Sequence, residues 1–320
     1  EGVERMAAPG SELSEPTEPV ESGKPAREPA RRYLVVVSYV QIEPLLTAWR
    51  ANSHTGDSMA PLTADSSPDL GLSVVEVALT SEGIAYPTGG WLPWQEAERV
   101  VEAHNKCFTV EDDVAHEIAI FSETTGWLRS LMPTSGAPTM LVSGIAMHRI
   151  KRTDPYQDTL TKVRAIAPIS GRVLDTATGL GYTAIEAAKV AEEVITVELD
   201  PAGLEVARLN PWSRGLFERP SIRQIVGDVF AVVNDFPDGA FTRILHDPPF
   251  ISLAGDLYSE EIYRRFFRVL RRSGKLFHYI GDPASSSGAR TTTGVIRRLQ
   301  AVGFTRITRH PEAFGVVAQK

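Results

Sequence analysis

The chain has 320 residues, 42% of them hydrophobic, a formal net charge of -7 and a single cysteine, Cys107. That length and apolar share can fill two cores, while a lone cysteine excludes an intrachain disulfide and a cysteine metal cluster, and no metal is expected. The negative balance argues against nonspecific grip on nucleic acid, and no apolar run reaches the roughly 18 residues of a membrane helix. The expectation is a soluble, cytoplasmic protein with no membrane partner and no secretory signal pattern.

Residues 1–32 repeat Glu, Pro, Ser and Gly with few large apolar groups. They cannot offset the entropy of ordering, which predicts a disordered tail. Order is predicted to begin with a strand-like run over 33–40. Residues 55–69, polar and containing Pro and Ser, read as a flexible insertion. Residues 72–79 and 83–86 flank Thr80, Ser81 and Glu82 as a hairpin. Residues 94–106 have helical spacing, with Ala97, Val100, Val101 and His104 near one face, and 116–150 alternates short apolar runs with turns. Together these predict a small α+β substrate or accessory domain over 33–150, ahead of a second domain over 151–320.

Basic residues gather at the boundary, at Arg149, Lys151, Arg152, Lys162 and Arg164. Another set, from Arg264 to Lys275, punctuates a later helix. Solvated faces of amphipathic helices are the plainer explanation, and an RNA-binding surface is the alternative.

From residue 159 onward the order helix, strand, glycine turn, helix, strand predicts a doubly wound, Rossmann-like α/β sheet. Val173-Leu174 followed by Asp175-Thr176-Ala177-Thr178-Gly179-Leu180-Gly181 reads as a buried strand and a glycine-rich turn, with a helix beginning near Tyr182. Gly179 and Gly181 permit positive φ and leave no Cβ in a ligand's path. Gly179-x-Gly181-x-x-Ala184 also satisfies a dinucleotide fingerprint, with Glu198 as ribose acceptor. Asp175, however, would set negative charge against a pyrophosphate. S-adenosylmethionine has no phosphate and carries a positive sulfonium and ammonium, so charge complementarity favours it.

Three further strands end in carboxylates. Residues 194–200 place Glu198 where it can accept both ribose hydroxyls, 225–228 end on Asp228, suited to an adenine amino group, and 243–247 run through His246 and Asp247 into Pro248-Pro249-Phe250. The last strands are predicted over 275–280, 305–309 and 314–318, the final two after a helix over 293–302.

With DTATGLGYTAIEAA, VITVELDP, IVGD, ILHDPPF, LYSEEIYRRFFRVLRRSGKLFHYIGDP and EAFGVVA in that order, the chain over roughly 165–320 resembles class I S-adenosylmethionine-dependent methyltransferases. It is most similar to an archaeal-type predicted group with a small N-terminal region. The resemblance implies that Asp175, Thr176, Ala177, Gly179 and Gly181 hold the methionine end, Glu198 and Leu199 the ribose, and Asp228 and Val229 the adenine, with Asp247 at the edge of that site.

In the resembled enzymes Asp-Pro-Pro-aromatic accompanies methylation of planar nitrogens, either base amines or side-chain amides. Asp247 and the Pro248 carbonyl would accept the N–H protons, Pro249 would stiffen the turn, and Phe250 would stack on the acceptor plane. His278 is a further candidate for this site, as a proton acceptor or substrate ligand; His246 is a weaker one, and a core role is the commoner fate of both. His148 and Tyr156 precede the catalytic fold and are candidates for substrate contact. Residues 281–288 read as a lid or a plain surface loop.

The methyl acceptor implied is of unknown class, RNA or protein. Two other functions compete. Residues 257–274 also resemble a stretch in aminopropyltransferases, which use decarboxylated S-adenosylmethionine and a polyamine but are expected to need a more acidic lining than Asp247-Pro-Pro-Phe supplies. The other competitor is a non-catalytic RNA- or protein-binding scaffold.

Overall fold

A Ser38-x-x-Gln41 capping box decides where the first strand stops. The backbone N–H of Ser38 donates to Gln41 Oε1 at 3.0 Å while Ser38 Oγ accepts from Val40 N at 3.3 Å, which satisfies two otherwise orphaned donors. The strand expected over 33–40 is therefore only β1 (Val35–Ser38), and α1 (Tyr39–Ser53) follows without a loop. The computed structural model describes residues 34–53, 62–249 and 255–320, so the tail expected over 1–32 lies outside the described residues.

Of the insertion expected over 55–69, residues 55–61 lie outside the described residues. Residues 62–66 form β2 (Leu62–Ser66), which pairs antiparallel with β3 (Val75–Leu79). Its polar composition misleads because its first residues alternate between half-buried and exposed, as on an edge strand. β3 turns into β4 (Gly83–Ala85) at the expected hairpin, and β5 (Trp91–Pro93) leads into α2 (Trp94–Glu102). The helix ends short of 106 because the chain passes into β6 (Cys107–Glu111), which pairs with β1 and with β7 (Val114–Glu117). Val37, Ile42, Leu45, Ile84, Leu92 and Val100 make one core here. Burying each such side chain is worth about 1.5–3 kcal/mol.

A third sheet, four-stranded and antiparallel, follows from β8 (Ala119–Phe121), β9 (Leu128–Met132), β10 (Thr139–Val142) and β11 (Ile145–Ala146), in the order β11-β10-β9-β8. Leu131 and Met140 of this sheet, with Ile118 and Ala137 beside its strands, share a core with Leu180, Tyr182 and Leu204 of the α/β part, across position 150. This accessory sheet thus packs directly on the glycine turn and on the helix that follows β13, introduced next.

Helix α3 (Pro155–Ala165) starts on Asp154, whose Oδ1 accepts from Tyr156 N and Gln157 N. The doubly wound part then runs through β12 (Arg172–Asp175), α4 (Tyr182–Ala187), β13 (Glu193–Glu198), α5 (Pro201–Leu209), α6 (Arg214–Glu218), β14 (Ile222–Val226), α7 (Val229–Val232), β15 (Phe241–His246), α8 (Glu260–Val269), β16 (Leu270–Tyr279), α9 (Ser286–Val302), β17 (Thr305–His310) and β18 (Gly315–Gln319). The seven strands lie in the order β14-β13-β12-β15-β16-β18-β17. The first five are parallel, and β18 is antiparallel to both its neighbours. This is the predicted Rossmann-like α/β class, and its last strands lie where they were expected.

Both faces of the sheet are covered, as parallel strands require. Val173, Val194, Leu245 and Phe277 face one core, while Leu174, Ile195, Ile244 and Leu276 face the other. Helix α9 begins at 286 rather than 293 because Ser285 caps it, its Oγ accepting from Gly288 N at 3.0 Å. Most of the serine segment read as a lid or surface loop is therefore that helix's N-terminus.

Among the described residues, no helix is long and apolar enough to cross a membrane.

Candidate active site

Strand order reverses around β12, which has β13 on one side and β15 on the other. Such switch points leave a crevice at the carboxyl ends of the strands. A cavity of about 410 Å³ lies there, lined by Thr176, Ala177 and Gly179 of the glycine turn, Glu198 and Leu199 after β13, Asp228 and Val229 after β14, and Asp247, Pro248 and Pro249 after β15. The opposite wall includes Trp127, Arg129, Val142, Ile145 and His148 from the accessory sheet and the segment after it.

The turn is built by backbone bonds. Thr176 N donates to Leu245 O at 3.0 Å, Thr178 N to Val197 O at 3.0 Å, and Gly181 N to Thr178 O at 2.7 Å. Gly181 has φ of +76°, and a Cβ there would stand 2.7 Å from Leu216 Cδ2. Conformation and packing both require glycine at this position. Gly181 does not line the cavity; its part is to turn the chain into α4.

Asp175 is fully buried and also stands behind the lining. Its Oδ2 accepts from Thr196 Oγ1 at 2.9 Å and Thr183 Oγ1 at 3.2 Å, while Oδ1 has no partner. Burial pushes its carboxyl up to about 7, against the Thr196 hydrogen bond and with negative Asp247 pushing the same way. An under-satisfied buried carboxyl behind a cavity wall favours positive charge in front of it.

Glu198 accepts from Gly179 N at 2.8 Å on Oε2 and from Asp200 N at 3.0 Å on Oε1. Burial nevertheless raises its pKa. The two backbone bonds fix the carboxylate at the end of β13, on the cavity wall. Asp200 is held by the accessory sheet: Ser122 Oγ donates to its Oδ1 at 2.8 Å, Arg129 Nε to its Oδ2 at 2.7 Å, and Asp200 itself accepts from Ala202 N at 3.0 Å to cap α5. Asp228 likewise caps α7 by accepting from Phe230 N at 2.9 Å.

Asp247 Oδ2 accepts from Lys162 Nζ at 2.6 Å. Burial pushes Asp247 up and the Lys162 ammonium opposes it. Phe250 lies outside the described residues. Tyr258, beyond that segment, donates to Pro249 O at 3.1 Å and helps fix the proline turn.

The histidines divide. His148 lines the cavity with Nδ1 3.0 Å from Thr139 Oγ1 and its ring against Tyr182, and burial lowers its pKa to about 4, so the imidazole is neutral. His246 and His278 are fully buried behind the sheet's end, with ring centroids 4.5 Å apart. His246 Nε2 donates to Leu257 O at 2.8 Å, which leaves Nδ1 to accept from Thr176 Oγ1 at 2.6 Å. His278 Nε2 meets Tyr263 OH at 2.9 Å. His278 does not line the cavity, and the site expected of it belongs to Asp247 and Tyr279 instead. The parallel register sets His246 opposite His278, which points both side chains to the same covered face. Tyr156 is also absent from the lining; its hydroxyl donates to Glu186 Oε1 at 2.6 Å.

The lining carries five carboxylates, Glu198, Asp200, Asp228, Asp247 and Asp256, against one guanidinium, Arg129, and no lysine, among the described residues. Arg129 is already paired with Asp200. This overturns the expectation of an insufficiently acidic lining, which weighed only the Asp-Pro-Pro-Phe segment. Sequence reasoning missed Arg129, which sits in a short alternating run without a local signal. It also missed Lys162, whose signal was the i,i+4 spacing from Asp158. Among the described residues no cluster of His, Cys, Asp and Glu has metal-binding geometry.

No family model matches the chain. It is 28% identical over 125 residues to a polyamine aminopropyltransferase of Mycobacterium tuberculosis, covering 37% of this chain and 24% of that protein. Among solved structures it superposes on a spermidine synthase in complex with the transition-state analogue AdoDATO, with a TM-score of 0.53 and 20% identity over 65% of this chain and 77% of that one. The spermidine synthase of Thermotoga maritima gives a TM-score of 0.50 at 21% identity, with 65% of this chain and 76% of that one covered. These structural likenesses establish the Rossmann-like fold. Over 225 residues the chain is 44% identical to uncharacterized protein MJ1233 of Methanocaldococcus jannaschii, covering 70% of this chain and 76% of that protein. With its switch-point crevice and carboxylate-tipped strands now in view, the chain belongs to the family of that archaeal protein.

Proposed function

We propose that this protein is a transferase that moves an alkyl group from an adenosyl sulfonium donor to an amine nitrogen. The reading that the geometry supports best is aminopropyl transfer from decarboxylated S-adenosylmethionine to a polyamine. The observation that carries it is the acid-lined cavity: of its five carboxylates Asp200 is paired with Arg129 and Asp247 with Lys162, which leaves Glu198, Asp228 and Asp256 and no unpaired cation in the lining among the described residues. Decarboxylated donor and polyamine are both purely cationic, so neither needs a free cation, whereas the methionine carboxylate of S-adenosylmethionine would.

The proposed chemistry is an in-line displacement. The amine lone pair forms an N–C bond to the methylene carbon on the sulfonium as the C–S bond breaks, and the bonding pair returns to sulfur, which leaves as a neutral thioether. Glu198 would hold the ribose and Asp228 the adenine edge. Asp247 would bind the amine and receive the proton that the new ammonium loses. Placing the nucleophile against the carbon supplies much of the acceleration, up to about 7–11 kcal/mol for such positioning in general.

Methyl transfer to a planar nitrogen is the second reading, favoured by Asp247-Pro248-Pro249 lining the cavity at the end of β15. Here Asp247 and the Pro248 carbonyl would accept the N–H protons of a base amine or an amide in RNA or protein.

Calorimetric titration with S-adenosylmethionine, its decarboxylated form and NAD, followed by mass spectrometry of products with diamines and triamines, separates these readings. Tighter binding of the decarboxylated donor and a product heavier by one aminopropyl group support the first. Tighter binding of S-adenosylmethionine with methylated RNA or protein supports the second, and no binding of either leaves the scaffold alternative. In the productive case Asp247→Asn should abolish turnover and spare donor binding; unchanged turnover would remove Asp247 from the reaction.

A further inference from the structure

We propose that Lys162 is a positioning residue for the transfer step: its ammonium, fixed between Asp158 and Asp247, keeps the Asp247 carboxylate ionised and in one orientation at the cavity wall. The proposal rests on the role given to Asp247 above. The Lys162 side chain is 2% exposed, with Nζ 2.6 Å from Asp247 Oδ2 and 2.9 Å from Asp158 Oδ2. The Tyr279 ring lies 4.6 Å from the same nitrogen. Residues of α3, the end of β15 and the end of β16 therefore converge on one buried ammonium.

Burying an ammonium forfeits several kcal/mol of hydration, which a single carboxylate rarely offsets. Here two carboxylates share it, and Asp158 is itself bridged by Arg149. Arg149 in turn donates to Glu312 O at 2.8 Å and lies over the Phe314 ring. The four charges alternate, Arg149, Asp158, Lys162, Asp247, and sum to zero. Of the four, only Asp247 lines the cavity. Lys162 is thus committed to the carboxylate and is not a ligand for substrate.

The charged and titratable groups facing Asp247 are Lys162 and Asp158 from α3, Arg149 from the segment before it, Asp175 from β12, Tyr258 ahead of α8, and Tyr279 from β16. Burial pushes the Asp247 carboxyl upward, Lys162 and Arg149 push it down, and Asp158 adds to the upward push. Without the ammonium, this partly buried carboxyl would hold its proton to higher pH and so present a donor where an amine needs an acceptor.

The test is direct titration of Asp247 in the full chain, free of any substrate, by carbon NMR with aspartate labelled at the side-chain carboxyl. The resonance absent in Asp247→Asn identifies it. Lys162→Met should move its midpoint up by about 1–3 pH units, the range for loss of an opposite charge at contact distance. Lys162→Arg should leave it near wild type, and Asp158→Asn should move it down. Two opposite shifts around a charge-preserving control are a result that loosened packing does not produce. An unmoved midpoint in Lys162→Met, or an upward shift in Asp158→Asn, overturns the proposal. Should Lys162→Met fail to fold, Lys162→Gln, which also removes the charge, is titrated in its place and judged by the same upward shift. No donor or turnover enters the measurement, so its failure is distinct from failure of the transferase reading.

Discussion

Replacing Arg129 by Met should loosen the accessory sheet from the α/β part and cost about 3 kcal/mol. Breaking one partner of a buried ion pair typically costs about 3–5 kcal/mol, because the remaining charge is left without compensation. Asp200 is that remaining charge, with its side chain 2% exposed. It would keep donors from Ser122, Thr125 and Ala202 N, which places the loss at the low end of the range. Methionine preserves most of the volume of the arginine stem, so the loss measures charge rather than a cavity. Urea denaturation followed by tryptophan fluorescence suits the question, since Trp127 has the Arg129 guanidinium 5.9 Å from its ring centroid. Adding Asp200→Asn to Arg129→Met removes the stranded charge and should recover part of the stability. Burial pushes Asp200 up, but hydrogen bonds from Ser122 and Arg129 more than offset it and hold its pKa below the ordinary value. A carboxylate depressed in this way contributes stability above its unfolded pKa of about 3.9 and loses it as pH falls through the folded value, so wild type and Arg129→Met should converge in acid. A cost under about 1 kcal/mol, the level of an exposed pair, or a double variant no better than the single one, would refute the reasoning.

Asp175 has the opposite sign: its folded pKa is raised to about 7, so its stabilising contribution is full in acid and is lost as pH rises through that value. The melting temperature of the ligand-free protein should fall between about pH 4 and 7, the window set by the ordinary and raised carboxyl values, and Asp175→Asn should flatten the profile and melt higher at the alkaline end; an unchanged slope would refute it. Glu198→Ala should weaken binding of the adenosyl donor about 100- to 10,000-fold, from two charge-assisted bonds of about 1.5–3 kcal/mol each. Calorimetric affinity within tenfold of wild type would take the ribose role away from Glu198.

The strand ends were legible because their chemistry is local. Val173-Leu174 before Asp175 and Ile195-Thr196-Val197 before Glu198 alternate faces of a covered sheet and then meet a polar turn, and such a pattern has few other solutions. Hidden features depended on partners remote in sequence. Lys162 stands 85 positions from Asp247 and Arg129 stands 71 from Asp200, so neither pairing left a periodic trace. The basic cluster over 149–164 looked like a solvated face, yet Lys162 is one of the most deeply buried large side chains. His278 misled for a related reason. Alternation told that it faced one side of the sheet, but not that α8 covers that side with Tyr263.

The cavity's two walls come from bodies of different build, and that division has a consequence for how the family can diversify. Every carboxylate expected to touch the donor sits at the tip of a strand in the doubly wound sheet, where a one-residue slip would invert the register of the whole core. Trp127, Val142 and Ile145 sit in or beside short antiparallel strands and their turns, which tolerate exchange of single side chains. Under the proposed transferase reading, side chains on that wall can be exchanged singly or by hairpin grafting while the strand-tip carboxylates stay in place.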